Sequence, residues 1–215
     1  MNLITLTDPR SPVSEAYRTL RTNLSFYSLD KPLQTLVVTS PAPGEGKSTT
    51  IANLAVAMAQ GGRRTILVDC DLRRPSLHTL FNLGNDFGFT TLLLDEKGAP
   101  PLQKTPVDNL WLLTSGPKPP NPADLLGSRQ VDRLIATLKE QADMILFDVP
   151  PVIAVTDAAV LGAKVDGVLL VVNAGKTRRD HAQRAKELLE KAKVRIVGVA
   201  LTNAPRDSAL GGYYE

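Results

Sequence analysis

A chain of 215 residues with 43% hydrophobic content is long enough to fill one core and short for two, so a single domain over residues 1–215 is predicted. The lone Cys70 excludes an internal disulfide, the first residues lack a signal-peptide pattern, and no apolar run approaches the roughly 18 to 20 residues that cross a bilayer. The expectation is a cytoplasmic domain that meets a membrane only through a partner; a net charge of +3 without a long Lys/Arg block gives no support for nucleic acid.

In chain order, Ser14 is predicted to cap a helix whose apolar positions Tyr17, Leu20, Leu24 and Tyr27 recur at three- and four-residue spacing, which should shield both tyrosines. Residues 35–39 read as a buried strand, followed by a Pro/Gly-rich loop and a helix over 48–60 that Gly61 and Gly62 end. Further strands are predicted over 65–68, 110–113, 144–147, 167–172 and 194–199, with helices over 122–139, 156–163 and 179–191. The stretch 86–107, with Gly88, Gly98, Pro100 and Pro101, reads as the least regular part. Strands apolar on both faces that alternate with helices predict a doubly wound, mostly parallel α/β sheet, with ligands beyond the carboxyl ends of the strands.

The central motif, Ser40-Pro41-Ala42-Pro43-Gly44-Glu45-Gly46-Lys47-Ser48-Thr49, stands between a strand and a helix. Backbone amides of such a loop and the helix N-terminus form an anion site, with Lys47 on the outer phosphates and the Ser48 hydroxyl on Mg2+. Pro41 replaces the first glycine of the usual P-loop pattern. Gly44, Glu45, Gly46, Lys47, Ser48 and Thr49 are the phosphate-binding candidates. Asp148, at the end of an apolar run, is placed to hold Mg2+ through a bound water. Asp69 and Asp71 share a side of an extended segment, where a cation would relieve their repulsion; the alternative pairs them with Arg73 and Arg74 on the surface. His78 and His181 read as solvated, Trp111 as core. Lys176, Arg178, Arg179, Arg184 and Lys186 read as a solvated basic face, or one that meets an acidic partner or headgroups.

Taken together, the loop, the run 66–73 ending in Asp69, Asp71 and Arg73, and the run 145–151 around Asp148 resemble the Walker A, A′ and B set of the bacterial tyrosine kinases (BY-kinases) of capsule and exopolysaccharide synthesis. Glu15, Arg18 and Arg21 are similar to that family's oligomerisation helix, here within residues 1–33, and Tyr213 and Tyr214 to a short tyrosine cluster on a flexible tail over 204–215. The resemblance implies an ATP- and Mg2+-dependent protein-tyrosine autokinase. Lys47, Asp69, Asp71 and Asp148 would be catalytic, with Ser48, Asp71 and Asp148 on the metal and Asp69 facing the tyrosine hydroxyl. It places adenine near Asn203, which as a residue after a strand also fits an ordinary turn. It further implies a homo-oligomer, with a ring as one closed form, a transmembrane polysaccharide co-polymerase as activator, a tyrosine phosphatase, and a peripheral position at the inner face of the cell membrane. Two alternatives differ in class: a dimerising ATPase switch like the Min and Par proteins, whose early P-loop lysine is replaced by Ala42, and a nucleotide-binding regulator with little catalysis.

Overall fold

In the computed structural model, which describes residues 3–30, 33–95 and 98–204, one sheet runs through the chain; Tyr213 and Tyr214 lie outside the described residues. Helices α1 (Ile4–Thr7) and α2 (Pro12–Asp30) precede β1 (Thr35–Thr39), and α3 (Lys47–Gln60) leads to β2 (Thr65–Asp69). Next come α4 (Leu77–Phe81), α5 (Phe89–Asp95), β3 (Gln103–Lys104) and β4 (Leu110–Leu113). Helices α6 (Pro122–Gly127) and α7 (Arg129–Gln141) precede β5 (Met144–Asp148), followed by α8 (Asp157–Gly162), β6 (Gly167–Asn173), α9 (Arg179–Lys191) and β7 (Ile196–Thr202). The strand order is β3-β4-β2-β5-β1-β6-β7, parallel except for the β3–β4 pair. This is the doubly wound, mostly parallel α/β architecture that the alternation of apolar strands and helices predicts.

The pleat divides the core. Val37, Val68, Ile145 and Phe147 point to one face, while their neighbours Leu36, Val38, Leu67 and Leu146 point to the other and pack with α3. Every residue of α3 from Thr50 to Ala59 is buried, because the helix lies between the sheet and α2. Ala52, Ala55, Ala57 and Ala59 keep it thin enough to fit there. The amino-terminal segment belongs to the same core: Leu3 and Leu24 are buried, and Thr5 binds the Asn53 amide oxygen through both its N–H and its hydroxyl.

Several local expectations are corrected. Helix α2 starts at Pro12, and its cap is Ser11, whose Oγ accepts the Ser14 N–H at 3.2 Å; Ser14 lies inside the helix and donates to the Asp8 carbonyl at 2.7 Å. The helix expected over 122–139 is two, because Ser128 takes an extended conformation with ψ of 158°. The stretch 86–107 holds α5 and β3. β7 runs further than expected, after a register shift between Val168 and Leu169. Tyr17 is half-buried, but Tyr27 is 37% exposed and lies under the Arg195 guanidinium, 4.6 Å from the ring centroid. His181 is exposed, whereas His78 is half-buried.

The start of β1 is held by Asp166, which accepts from the Gln34 and Thr35 N–H groups at 3.0 and 2.8 Å and the Thr35 hydroxyl at 2.8 Å, with Lys139 3.2 Å away. Burial acts to raise its pKa, but these donors outweigh it and hold the carboxyl below its usual range. A depressed folded pKa stabilises above the unfolded value of 3.8 and loses that contribution as pH falls. Asp166→Ala is expected to cost about 1–3 kcal/mol at pH 7. In urea unfolding at pH 7 and pH 3.5, the deficit should be distinctly smaller at the acid pH.

Candidate active site

The loop between β1 and α3 turns at two positions of positive φ, Gly44 at +75° and Gly46 at +88°. Both conformations are costly for any residue with a side chain, and a Cβ at Gly46 would meet Thr202 Cγ2 at 3.3 Å. The turns leave the start of α3 open toward a cavity of about 440 Å³ whose lining includes Ser40, Gly44, Gly46, Lys47, Ser48, Thr49, Asp71, Arg73 and Arg74. Helix α3 has no side-chain cap, so its first N–H groups face this cavity free for an anion.

Opposite the loop, parallel pairing of β2 and β5 sets Asp69 beside Asp148. Lys47 Nζ lies 2.5 Å from Asp148 Oδ1, 3.4 Å from Asp71 Oδ2 and 3.1 Å from Ser48 Oγ. Burial, the largest influence on this ammonium, disfavours its charge, but Asp148 and Asp71 outweigh it and raise the pKa above its ordinary value. Asp148 is wholly buried, which pushes its carboxyl up against the opposing pull of Lys47. The second oxygen of Asp148 has no partner among the described residues.

Asp69 faces inward. Its Oδ2 accepts the N–H groups of Ser76 and Leu77, each at 3.0 Å, and its Oδ1 that of Asp71 at 3.2 Å. Desolvation first, and then the charge of Asp148, lift its pKa to about 7. It is 0% exposed and off the cavity lining, so it shapes the 70–76 loop, whereas Asp71 reaches the cavity wall. Arg73 does not pair with either of these aspartates. It forms a double hydrogen bond, 3.1 Å on each side, with buried Asp157 at the start of α8. Arg74 meets Asp71 through its backbone N–H.

Asn203 sits just after β7 in the left-handed region, φ +56°, a conformation asparagine tolerates. It lines a separate groove with Pro12, Tyr17, Thr50 and Thr202, outside the main cavity. Glu15 and Arg18 form an ion pair of 2.6 Å on α2, Arg18 also donates to the Pro9 carbonyl, and Arg21 donates to the Ala57 carbonyl at 3.0 Å. Sequence reasoning missed Asp157, Thr177 and Thr202. The last two hold Glu45: Thr177 Oγ1 donates to Glu45 Oε1 at 2.7 Å, and Thr202 Oγ1 to the Glu45 carbonyl at 2.8 Å. Each partner lies 84 to 157 residues away in the chain, beyond any local pattern.

Among the described residues no group of three or more His, Cys, Asp or Glu side chains forms a metal cluster. The free Asp148 oxygen, the Ser48 hydroxyl and Asp71 are hard oxygen donors, a set that fits Mg2+ held mainly by waters and phosphates. Removing the ammonium would strand buried carboxylates. Lys47→Met should therefore cost the nucleotide-free chain about 3–5 kcal/mol in urea unfolding at pH 7. Adding Asp148→Asn should restore most of that loss, an outcome that a purely packing role for Lys47 does not give.

Comparison with known proteins agrees with this geometry. Residues 32–203 match the family model described as ParA, NUBPL iron-transfer P-loop NTPase. The tyrosine-protein kinase YwqD of Bacillus subtilis (strain 168) is 45% identical over 216 residues, 99% of this chain and 91% of that protein. The solved chimerical protein CapA2B2 matches with a TM-score of 0.91 at 41% identity, over 95% of this chain and 90% of its own. The kinase domain of the Escherichia coli tyrosine kinase ETK matches with a TM-score of 0.91 at 30% identity, over 97% and 82%. With its Lys47-centred loop and the paired strand-end aspartates, the chain belongs to the bacterial tyrosine-kinase (BY-kinase) family of P-loop NTPases.

Proposed function

We propose that the chain is an ATP-dependent protein-tyrosine autokinase that serves capsular or exopolysaccharide synthesis. The observation that carries this reading is the convergence of Lys47, Ser48, Asp71 and Asp148 on one cavity beside free helix N–H groups, in a chain nearly half identical to a tyrosine-protein kinase along its length. The transfer breaks the bond between the γ-phosphorus and its bridging oxygen and forms one to the tyrosine oxygen, whose proton is released. The amides of residues 44–49 and Lys47 bind and orient the phosphates. Ser48, Asp71 and Asp148 would hold Mg2+, which supplies charge neutralisation to the phosphates when bound. Asp69, with a pKa near 7, is a stronger proton acceptor than an ordinary aspartate, and the 70–76 loop must shift for a hydroxyl to reach it. Asn203 takes the adenine end. The Min/Par-like switch is disfavoured by Ala42 at the position of that group's signature lysine.

We further place the acceptors at Tyr213 and Tyr214, reached between subunits, with Glu15 and Arg18 on the association surface of α2. A transmembrane co-polymerase is the proposed activator and a tyrosine phosphatase the proposed opponent; among the described residues no helix is long and apolar enough to cross a membrane. A chain lacking its tail, mixed with a Lys47→Met chain, ATP and Mg2+, should place phosphotyrosine on Tyr213 or Tyr214 of the inactive partner. Its absence there in peptide mapping would remove transfer between subunits.

Association calls for a narrower variant than alanine at all three motif positions, because Arg21 supports α3 within its own chain. Glu15→Ala/Arg18→Ala should sediment as a monomer in analytical ultracentrifugation, where the unaltered chain forms oligomers. An unaltered chain that is monomeric at every concentration, with and without ATP, would overturn the association surface.

A further inference from the structure

Two of the five basic residues around the start of α9 are committed to neighbouring carboxylates. Arg178 pairs with Asp180 at 3.0 Å and Lys186 with Glu190 at 3.6 Å. Among the described residues Lys176, Arg179 and Arg184 have no such pair, and of these three Lys176 is the one placed against the phosphate loop. It is exposed, and among the described residues it has no carboxylate within ion-pair distance. Its Nζ lies against the phosphate loop from the β6 side, outside the lining of the main cavity and 3.3 Å from the position a Cβ on Gly44 would occupy.

That position is built. The turn after β6 folds back on Asn173, whose carbonyl accepts the N–H groups of Lys176 and Thr177 at 3.1 and 2.8 Å, while its own N–H binds Thr177 Oγ1 at 3.0 Å. The same Thr177 hydroxyl fastens the turn to Glu45, a loop carboxylate only 2% exposed. On the next strand, Thr202 binds the Glu45 carbonyl and accepts the Ala174 N–H at 2.9 Å. The lysine is thus carried by a turn locked to the loop at two points.

The charges around the loop leave room for a second cation. Lys47 leans onto Asp148 and Asp71, and Arg73 is held by Asp157. β1 lies between β5 and β6, so the carboxylates stand on one side of the loop and the β6 turn on the other. Inner phosphates held by the amides of residues 44–49 would lie between the carboxylates on the β5 side and Lys176 on the β6 side.

We propose that Lys176 is a second phosphate-binding cation of the nucleotide site, acting on the α- and β-phosphates; the inference rests on the ATP-binding reading above. Because ADP carries both of these phosphates, Lys176 contributes alike to ADP and ATP, and its effect falls on binding before transfer.

The test is titration of the full chain with fluorescent ADP and ATP analogues in Mg2+, together with steady-state kinetics. Lys176→Met should weaken both nucleotides by the same factor, about tenfold, and raise KM for ATP in proportion while kcat at saturation holds. Lys176→Arg should recover most of the loss, and Tm should stay at that of the unaltered chain because the side chain is exposed. ADP affinity of Lys176→Met within twofold of the unaltered chain would overturn the inference and leave the kinase reading standing. An equal loss in Lys176→Arg with a lowered Tm would assign the effect to the turn's structure, and also overturn it. Failure of the unaltered chain to bind either nucleotide would overturn the kinase reading and this inference with it.

Discussion

Three carboxylates, Asp69, Asp71 and Asp148, share a buried end of the sheet with one ammonium, that of Lys47. Like charges so close in a medium of low polarity repel strongly, and the group that relieves them must itself be buried and aimed. The rest of the structure serves that requirement. Parallel pairing of β2 with β5 puts Asp69 and Asp148 in register, and the loop between β1 and α3 delivers the lysine between Asp148 and Asp71. The three strands are buried along their whole length, which fixes the register because a slip of one residue would turn each apolar set to the wrong core.

The carboxylates have divided their work by environment. Asp69 spends both oxygens on backbone amides and anchors the turn into α4, Asp71 is carried outward to the cavity wall, and Asp148 keeps one oxygen bound and one free. Arg73 secures the far side of the same turn by reaching Asp157 on α8. The surface pairing of Asp69 and Asp71 with Arg73 and Arg74, reasonable from their proximity in sequence, is replaced by a longer-range bridge that leaves Asp71 free to face Lys47.

Much of this was legible before any coordinates, for physical reasons. Buried parallel strands are continuous apolar runs, and the aspartates that end them stand out because a charge at the end of such a run has few bland uses. Position 44 to position 49 carried its own spacing. What escaped the sequence depends on contacts made across the fold. The break at Ser128 is a change in one ψ angle inside an otherwise helical pattern. The contact of Tyr27 with Arg195 joins residues 168 apart in the chain, and the roles of Thr177 and Thr202 follow from the adjacency of β6 and β7 at the loop. Short elements such as α4, with five residues, offer too few turns for periodicity to register.

Arg21 gives α2 a grip on the far end of α3. Its guanidinium holds the Ala57 carbonyl in the last turn of that helix, where the negative end of the helix dipole favours a cation. The near end of α3, Lys47, ten residues and about 15 Å from Ala57, adjoins the phosphate loop. From Thr50 to Ala59 α3 is buried throughout, so a single packed helix joins the Arg21 contact on α2 to the start of the phosphate site.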